Sequence, residues 1–285
     1  MTEWRRPRHL REALELLGES PDRYRIVAGG TDVMVERHLH PENAPAGWLD
    51  ISGLSELRGI ARLETGELRV GAMTPLSAVR EDAAVRESWP LLAASAAVTG
   101  APAIQNRATL GGNICNASPA ADNPPVLLAY GAEIEIASAG GVRRIPYSAF
   151  HAGYRRTVLG QGEMVTGLWL KPVPRGSRQY FRKVGTRAAQ AITKVGLAAV
   201  VPFGPDGTVR GARFGFSSVA ETPCLARTTA AALEGRSPLA VPSGEIGALL
   251  EQDIAPISDL RSTGAYRRQV AARLVREALQ AGHFQ

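Results

Sequence analysis

Apolar residues first fall at helical spacing in RHLREALELLGES, where Leu10, Ala13, Leu14 and Leu17 share one face and Gly18 supplies a stop. The pattern then switches to alternation. In YRIVAGG, Tyr24, Ile26 and Ala28 alternate with Arg25, Val27 and Gly29, which predicts a short strand running into a glycine turn. TDVMVERHL returns to a helical pattern with Thr31 or Asp32 at its N-terminal end, and Trp48-Leu49-Asp50-Ile51 reads as another strand. Residues 1–55 thus predict α-β-α-β, a small α/β unit.

GELRVGAM predicts a strand, and Thr74-Pro75 a helix start, with a capping hydroxyl followed by proline at the first helical position. WPLLAASAAVTG predicts an alanine-rich helix ending at Gly100. PPVLLAYGAEIEIAS predicts a buried helix that turns at Gly131 into a strand from Glu133 to Ala137, with GGVRRIPYSAF as its hairpin return. EMVTGLWL is a further strand, stopped by the Pro172–Gly176 stretch PVPRG, which marks a domain boundary near 175. Beyond it come a strand in YFRKV, a small-residue helix around AITKVGLAAV, a GPDG turn at 204–207 and a strand in VRGARFGFSSV. Helices near 228–235 and over RSTGAYRRQVAARLVREAL complete the chain. There is no internal repeat and no low-complexity segment.

A length of 285 residues suits two or three modest domains, and 45% hydrophobic residues are enough for real cores. No apolar run approaches the roughly eighteen residues that cross a bilayer. The N-terminus carries charges where a signal peptide would be apolar. Both points lead to the expectation of a soluble cytoplasmic protein with no membrane span. Lys plus Arg is 33 and Asp plus Glu is 27, a net charge of +6, and most of the basic residues are Arg spread without blocks. That balance fits a solvated surface, or a surface for an acidic partner or an anionic cofactor. Neither zinc-finger spacing nor an RNA-binding aromatic signature points to nucleic acid. Cys115 and Cys224 are the only thiols, too few for a four-cysteine zinc or iron–sulfur site. Redox chemistry here therefore needs an organic cofactor or a partner's metal. His9, His38, His40, His151 and His283 are dispersed, with no catalytic pairing, so no catalytic residue and no metal ligand is expected on this chain.

Two glycine-centred motifs carry the candidate chemistry. Val27-Ala28-Gly29-Gly30-Thr31-Asp32 is a strand–turn–helix junction, where backbone N–H groups at the turn and the helix start can hold an anion. An ordinary tight turn is the plainer reading. In TLGGNICNASPAAD, Gly111 and Gly112 let backbone approach a ligand, Thr109, Asn113 and Ser118 offer short polar groups, and Asp122 can accept from ribose hydroxyls. The spacing is neither a Rossmann fingerprint nor a P-loop. Two phosphate-cradling turns far apart in sequence suit a dinucleotide-like cofactor held between two subdomains.

IVAGGTDV, ATLGGNICNASPAADNPPVLLAYGAEIEI, FHAGYRRT, FRKVGTRAAQAITKVGLA and SDLRSTGAYRRQVAARLVREAL, in that order, resemble the FAD-binding medium subunit of the molybdenum hydroxylases, the family of xanthine dehydrogenase and carbon monoxide dehydrogenase. The resemblance runs from about residue 4 to residue 280, and the second glycine motif is its most specific part. It implies an α+β architecture: a two-subdomain FAD-binding fold of the vanillyl-alcohol oxidase (PCMH) type at 1–55 and 56–175. A C-terminal α/β domain with a three-stranded antiparallel sheet would follow at 176–285. It also implies that Ile26, Val27, Ala28, Gly29, Gly30, Thr31, Asp32 and Val33 wrap the FAD diphosphate, and that Thr109, Gly111, Gly112, Asn113 and Ser118 face it from the other side. Asp122 matches the family's acid in the site, Lys183 a lysine near the flavin end and Val165 an apolar contact there. The implied partners are a small subunit with two [2Fe–2S] clusters and a large subunit with the molybdenum cofactor, as a dimer of heterotrimers, with NAD or oxygen as acceptor. Gln105 stands where many relatives have arginine, which puts a diphosphate or partner contact there in doubt. The chain has no cysteine-rich insert for an extra cluster. The alternatives are a self-contained flavin oxidoreductase of the same fold and a nucleotide-binding module without turnover.

Overall fold

The computed structural model describes residues 2–187 and 190–280; His283 lies outside them. The N-terminal unit holds β1 (Glu3–Arg5), α1 (Leu10–Glu19), β2 (Tyr24–Val27), α2 (Val33–Leu39) and β3 (Gly47–Asp50). Its sheet is parallel, in the order β1-β3-β2. β1 escapes the sequence pattern because its three residues set one tryptophan between charges. It is fixed by pairing with β3 and by Trp4 stacking on Trp48, ring centroids 5.7 Å apart. The predicted face of α1 is the buried one: Ala13, Leu14 and Leu17 pack on Leu49, Ile51, Leu54 and Leu57.

The second unit has β4 (Ile60–Arg62), β5 (Leu68–Gly71), α3 (Leu76–Glu81), α4 (Ala83–Ser88), α5 (Pro90–Val98), α6 (Pro102–Gln105), α7 (Leu110–Cys115) and α8 (Asn123–Tyr130). β6 (Glu133–Ser138), β7 (Gly141–Pro146), the small hairpin β8 (His151–Gly153) and β9 (Arg156–Thr157), and β10 (Met164–Leu170) follow. A five-stranded antiparallel sheet runs β4-β5-β10-β6-β7. Thr74 does not cap a helix. Its hydroxyl bridges the backbone N–H and carbonyl of Gly59, at 3.1 and 3.0 Å, and Pro75 holds the cap position of α3. The hydroxyl is drawn to Gly59 because Thr74 is buried where that backbone needs a partner.

In the C-terminal unit, β11 (Arg178–Val184), β12 (Val195–Val201), β13 (Arg213–Ser217) and the two-residue β14 (Cys224–Leu225) form one antiparallel sheet in sequence order. The sheet therefore has a short fourth strand beyond the expected three. α9 (Arg227–Leu233), α10 (Ser243–Leu250) and α11 (Gly264–Gln280) follow. The helix expected around AITKVGLAAV is instead strand β12. Every residue of β12 is buried, because the sheet is covered on both sides. Val195, Leu197, Ala199 and Val201 join the core under α10 and α11, while Ala198 and Val200 join the core of the second unit. A strand buried on both faces loses its alternation and reads as a continuous apolar run, which periodicity cannot separate from a buried helix. Among the described residues, no helix is long and apolar enough to cross a membrane.

Candidate functional site

The first glycine turn leaves β2 at Val27 and enters α2 at Val33. Among the described residues, the backbone N–H groups from Ala28 through Val33 donate to no protein acceptor, whereas Met34 N–H already bonds the Gly30 carbonyl at 3.0 Å. Six successive unengaged amides on a bend that opens a helix can hold an anion. Two glycines build the bend for different reasons. A Cβ on Gly29 would overlap the Arg107 carbonyl, so Gly29 allows a backbone-to-backbone approach. Gly30 has φ +77°, the left-handed region, and a Cβ there would meet only Met34 and Val27, at ordinary contact distances of 3.5 and 3.9 Å. Arg107 directly precedes the second motif, and a Cβ on Gly112 would lie 3.8 Å from the Ala28 Cβ. The two motifs are therefore one locus.

The second motif is wired differently. Thr109 is buried and caps α7, its hydroxyl accepting from Gly112 N–H at 3.0 Å. The Leu110, Gly111 and Asn113 amides go to the Thr74, Ala72 and Thr109 carbonyls at 3.1, 2.9 and 2.9 Å. The first amides of α7 are thus engaged within the protein, and Gly111 serves packing, since a Cβ there would sit 2.6 Å from the Ala72 carbonyl. Ser118 accepts from Ala120 N–H at 3.3 Å and shapes the following turn.

Beyond α7 lies a buried polar cluster. Lys183 Nζ is 2.7 Å from Asp122 Oδ2 and 3.0 Å from the Val98 carbonyl. Thr193 donates to Asp122 Oδ1 at 2.7 Å, and Thr99 reaches Oδ2 at 3.5 Å. The fully buried Asn123 ties this cluster to the second motif, donating to Asn113 Oδ1 at 2.9 Å and to Thr99 at 3.3 Å. Burial lifts the Asp122 carboxyl above the ordinary carboxylate range; Lys183, Thr193 and Thr99 offset part of that rise. Val165 stands apart from this cluster, buried in β10 beside a bulge in its pairing with β6.

Two exposed side chains, one from each glycine motif, are also partly desolvated. Cys115 is solvent-exposed, yet surrounding protein pushes its thiol up to about 12. Asp32 is exposed, yet burial raises its carboxyl, with Arg155 pulling it down and Glu36 adding to the rise. Gln105 is far from such exposure: it is buried, accepting from Arg80 at 2.6 Å and donating to the Ala97 carbonyl at 2.8 Å. It cross-links α3, α5 and α6. Among the described residues, no group of three His, Cys, Asp or Glu side chains could hold a metal ion. Sequence reasoning missed Thr99, Asn123 and Thr193. Their only signal is a small polar residue at or beside an apolar run.

The family described as FAD binding domain in molybdopterin dehydrogenase matches residues 1–171, and the CO dehydrogenase flavoprotein C-terminal domain matches residues 179–281. The chain belongs to the FAD-binding subunits of the molybdenum hydroxylase family. It is 32% identical over 274 residues to the xanthine dehydrogenase FAD-binding subunit of Escherichia coli O157:H7, covering 95% of this chain and 92% of that one. It is 28% identical to the carbon monoxide dehydrogenase medium chain of Hydrogenophaga pseudoflava, covering 98% and 96%. The solved carbon monoxide dehydrogenase from that organism superposes with a TM-score of 0.90 at 27% identity, over 98% of this chain and 96% of that one. The site fits the cofactor of the family. The unengaged amides of residues 28–33 suit a diphosphate.

Proposed function

We propose that this chain is the electron-relay subunit of a molybdenum hydroxylase. It takes electrons from [2Fe–2S] clusters on a small partner, which receives them from a molybdenum cofactor on a large one, and passes them to NAD, oxygen or another acceptor. The assembly is a dimer of heterotrimers in the cytoplasm. Residues 1–55 and 56–175 form the two subdomains of a PCMH-type fold, and 176–285 the third domain. Ile26–Val33 hold the FAD diphosphate, while Gly112, Asn113 and the neighbouring Thr109, Gly111 and Ser118 form the facing wall. Asp122, Lys183 and Val165 lie toward the flavin.

The observation that carries this reading is the run of six unengaged amides at residues 28–33, pressed against the second glycine motif. Bound FAD supplies a carrier that accepts electrons singly and gives up a pair. The protein's part is to bind and orient it. A self-contained flavin enzyme would need an acid–base pair beside the cradle. The buried titratable pair next to it, Asp122 and Lys183, is engaged with itself. The test is to purify the native assembly through a tag on this chain. Flavin, iron and molybdenum recovered together support the relay. Flavin alone, with turnover of an organic donor by this chain, overturns it.

A further inference from the structure

Several buried polar side chains of this molecule form one line of hydrogen bonds that crosses from the second unit into the C-terminal unit. Asp122 is its hub and belongs to the second unit. Lys183, on β11, and Thr193, two residues before β12, come from the C-terminal unit. The line continues beyond Thr193. Its carbonyl accepts from the Ser218 hydroxyl at 2.8 Å, and Ser218 N–H donates back to the Pro119 carbonyl, within the second glycine motif, at 2.8 Å. Ser218 has φ +64°, and its carbonyl accepts from buried Arg267 of α11 at 2.8 Å. Arg267 is held in turn by Asp259 at 2.7 Å. The C-terminal helix therefore holds Ser218, Ser218 holds the Thr193 backbone, and Thr193 holds Asp122.

Lys183 is the residue whose position this line decides. A lysine stem is flexible, and its ammonium carries three donors. Two go to the Val98 carbonyl and Asp122 Oδ2, which leaves one. Without the Thr193 hydroxyl, Asp122 Oδ1 would lose its 2.7 Å donor inside a buried site, and the carboxylate would be free to turn. The ammonium would then lose its fixed partner.

We propose that Thr193 is a positioning residue for the flavin site: acting through Asp122, it fixes the Lys183 ammonium. The C-terminal unit thereby sets the affinity of a cradle built by the other two. This rests on the reading above that Lys183 lies toward the flavin.

The test is a double-mutant cycle on the full-length chain, stripped of flavin and titrated with FAD. Thr193→Val should weaken FAD binding about five- to tenfold, less than the roughly ten- to hundredfold weight of a direct hydrogen bond to a charged group, because the effect reaches the flavin through Lys183. Thr193→Ser, which keeps the hydroxyl, should restore affinity to within about twofold. Lys183→Met should weaken binding by itself, and adding Thr193→Val to it should change little more. Equal losses from Thr193→Val in both backgrounds would overturn the positioning role and leave Lys183 in the site. Wild-type affinity in Lys183→Met would overturn the placement of Lys183 and this proposal with it. The diphosphate cradle is tested separately at Gly30. If Thr193→Val does not fold, the same cycle is run with Thr193→Ala. Failure of Thr193→Ser to restore affinity would show that packing rather than the hydroxyl matters, which also overturns the proposal.

Discussion

Gly29 lies with its α-carbon against the Arg107 carbonyl, so that the turn after β2 and the segment leading into α7 share one backbone contact. That contact and the left-handed Gly30 beside it separate two kinds of damage. Gly29→Ala drives a methyl group into main chain that cannot swing away. We expect a loss of about 1–3 kcal/mol or more, the range for overpacking a close contact. FAD is lost as a consequence, and thermal unfolding of the flavin-free chain reads the difference.

Gly30→Val places a branched side chain at φ +77°, where its Cβ meets Met34 and Val27 only at ordinary contact distances. The flavin-free chain should stay folded, because the strain is local to the turn. Flavin retention should be abolished, because the side chain stands where the diphosphate approaches. The checks are the flavin-to-protein ratio after gel filtration and the melting temperature of the stripped chain. Stoichiometric flavin in the folded variant would remove the diphosphate from this turn.

Asp122→Ala removes the partner of a buried ammonium, with side-chain exposures of 12% for Lys183 and 8% for Asp122. Breaking such a pair from one side costs about 3–5 kcal/mol. The variant should therefore lose stability as well as roughly ten- to hundredfold in FAD affinity, the weight of one or more charged hydrogen bonds. Urea titration of stripped protein and FAD titration measure the two separately. An unchanged urea midpoint with weaker binding would mean that the pair forms only when flavin is bound.

The sequence was legible where one face of an element is wet. α1 shows its stripe because Leu10, Ala13, Leu14 and Leu17 face the protein while Arg11 and Glu15 face water. It was illegible where both faces are dry, as in β12, and where a strand is too short for any period, as in β1 and β14. The glycine motifs were visible because no other residue type tolerates those contacts. The wiring around them was not visible. Thr109 as a cap, Thr74 as a bridge to Gly59 and Thr193 as a prop for Asp122 are each decided by which chain segment folds beside them.

His151 should leave a signature in the pH dependence of stability. Burial lowers its pKa from 6.5 to about 4; Nε2 bonds the Tyr147 hydroxyl at 2.8 Å, and Nδ1 is buried without a partner. The unfolded chain takes up a proton near pH 6.5 that the native chain refuses until about pH 4. Stability is therefore complete above pH 6.5 and falls as pH drops through this window, by about 1–2 kcal/mol after allowing for the ring's partial exposure. His151→Gln should flatten that slope. Urea unfolding at several pH values from 7 to 4 reads it, and an equal slope in the variant would assign the effect to other groups.

Gln105 separates a structural role from a ligand role. Gln105→Met removes two part-buried hydrogen bonds, to the Ala97 carbonyl and from Arg80, which keeps Glu81, at a cost of about 1–2 kcal/mol. FAD affinity should stay within about twofold, because the buried side chain bonds only to Arg80 and the Ala97 carbonyl. A large loss of affinity at unchanged stability would return this position to the cofactor site.

The isolated chain should bind FAD yet oxidise no organic substrate. The proposed cradle rests on unengaged amides at residues 28–33, the neighbouring start of α7 and a buried lysine. Substrate activation is a different demand. It needs a group poised to take or give a proton beside the reacting atom. Among the titratable groups, Asp122 and Lys183 neutralise one another, burial raises the Asp32 carboxyl while Arg155 pulls it down, and His151 is held neutral by burial. Cys115 is no nucleophile either, since a thiol pushed up to about 12 carries almost no thiolate at neutral pH. Slow reduction of a dye by NADH remains compatible, because the acceptor side of a relay can run in reverse. The measurement is to confirm bound flavin by absorbance, then assay purines, N-heterocycles, aldehydes and carbon monoxide with a dye acceptor. Robust turnover of any of them without added subunits would mean that the chain holds a substrate pocket of its own, and the relay reading would fall.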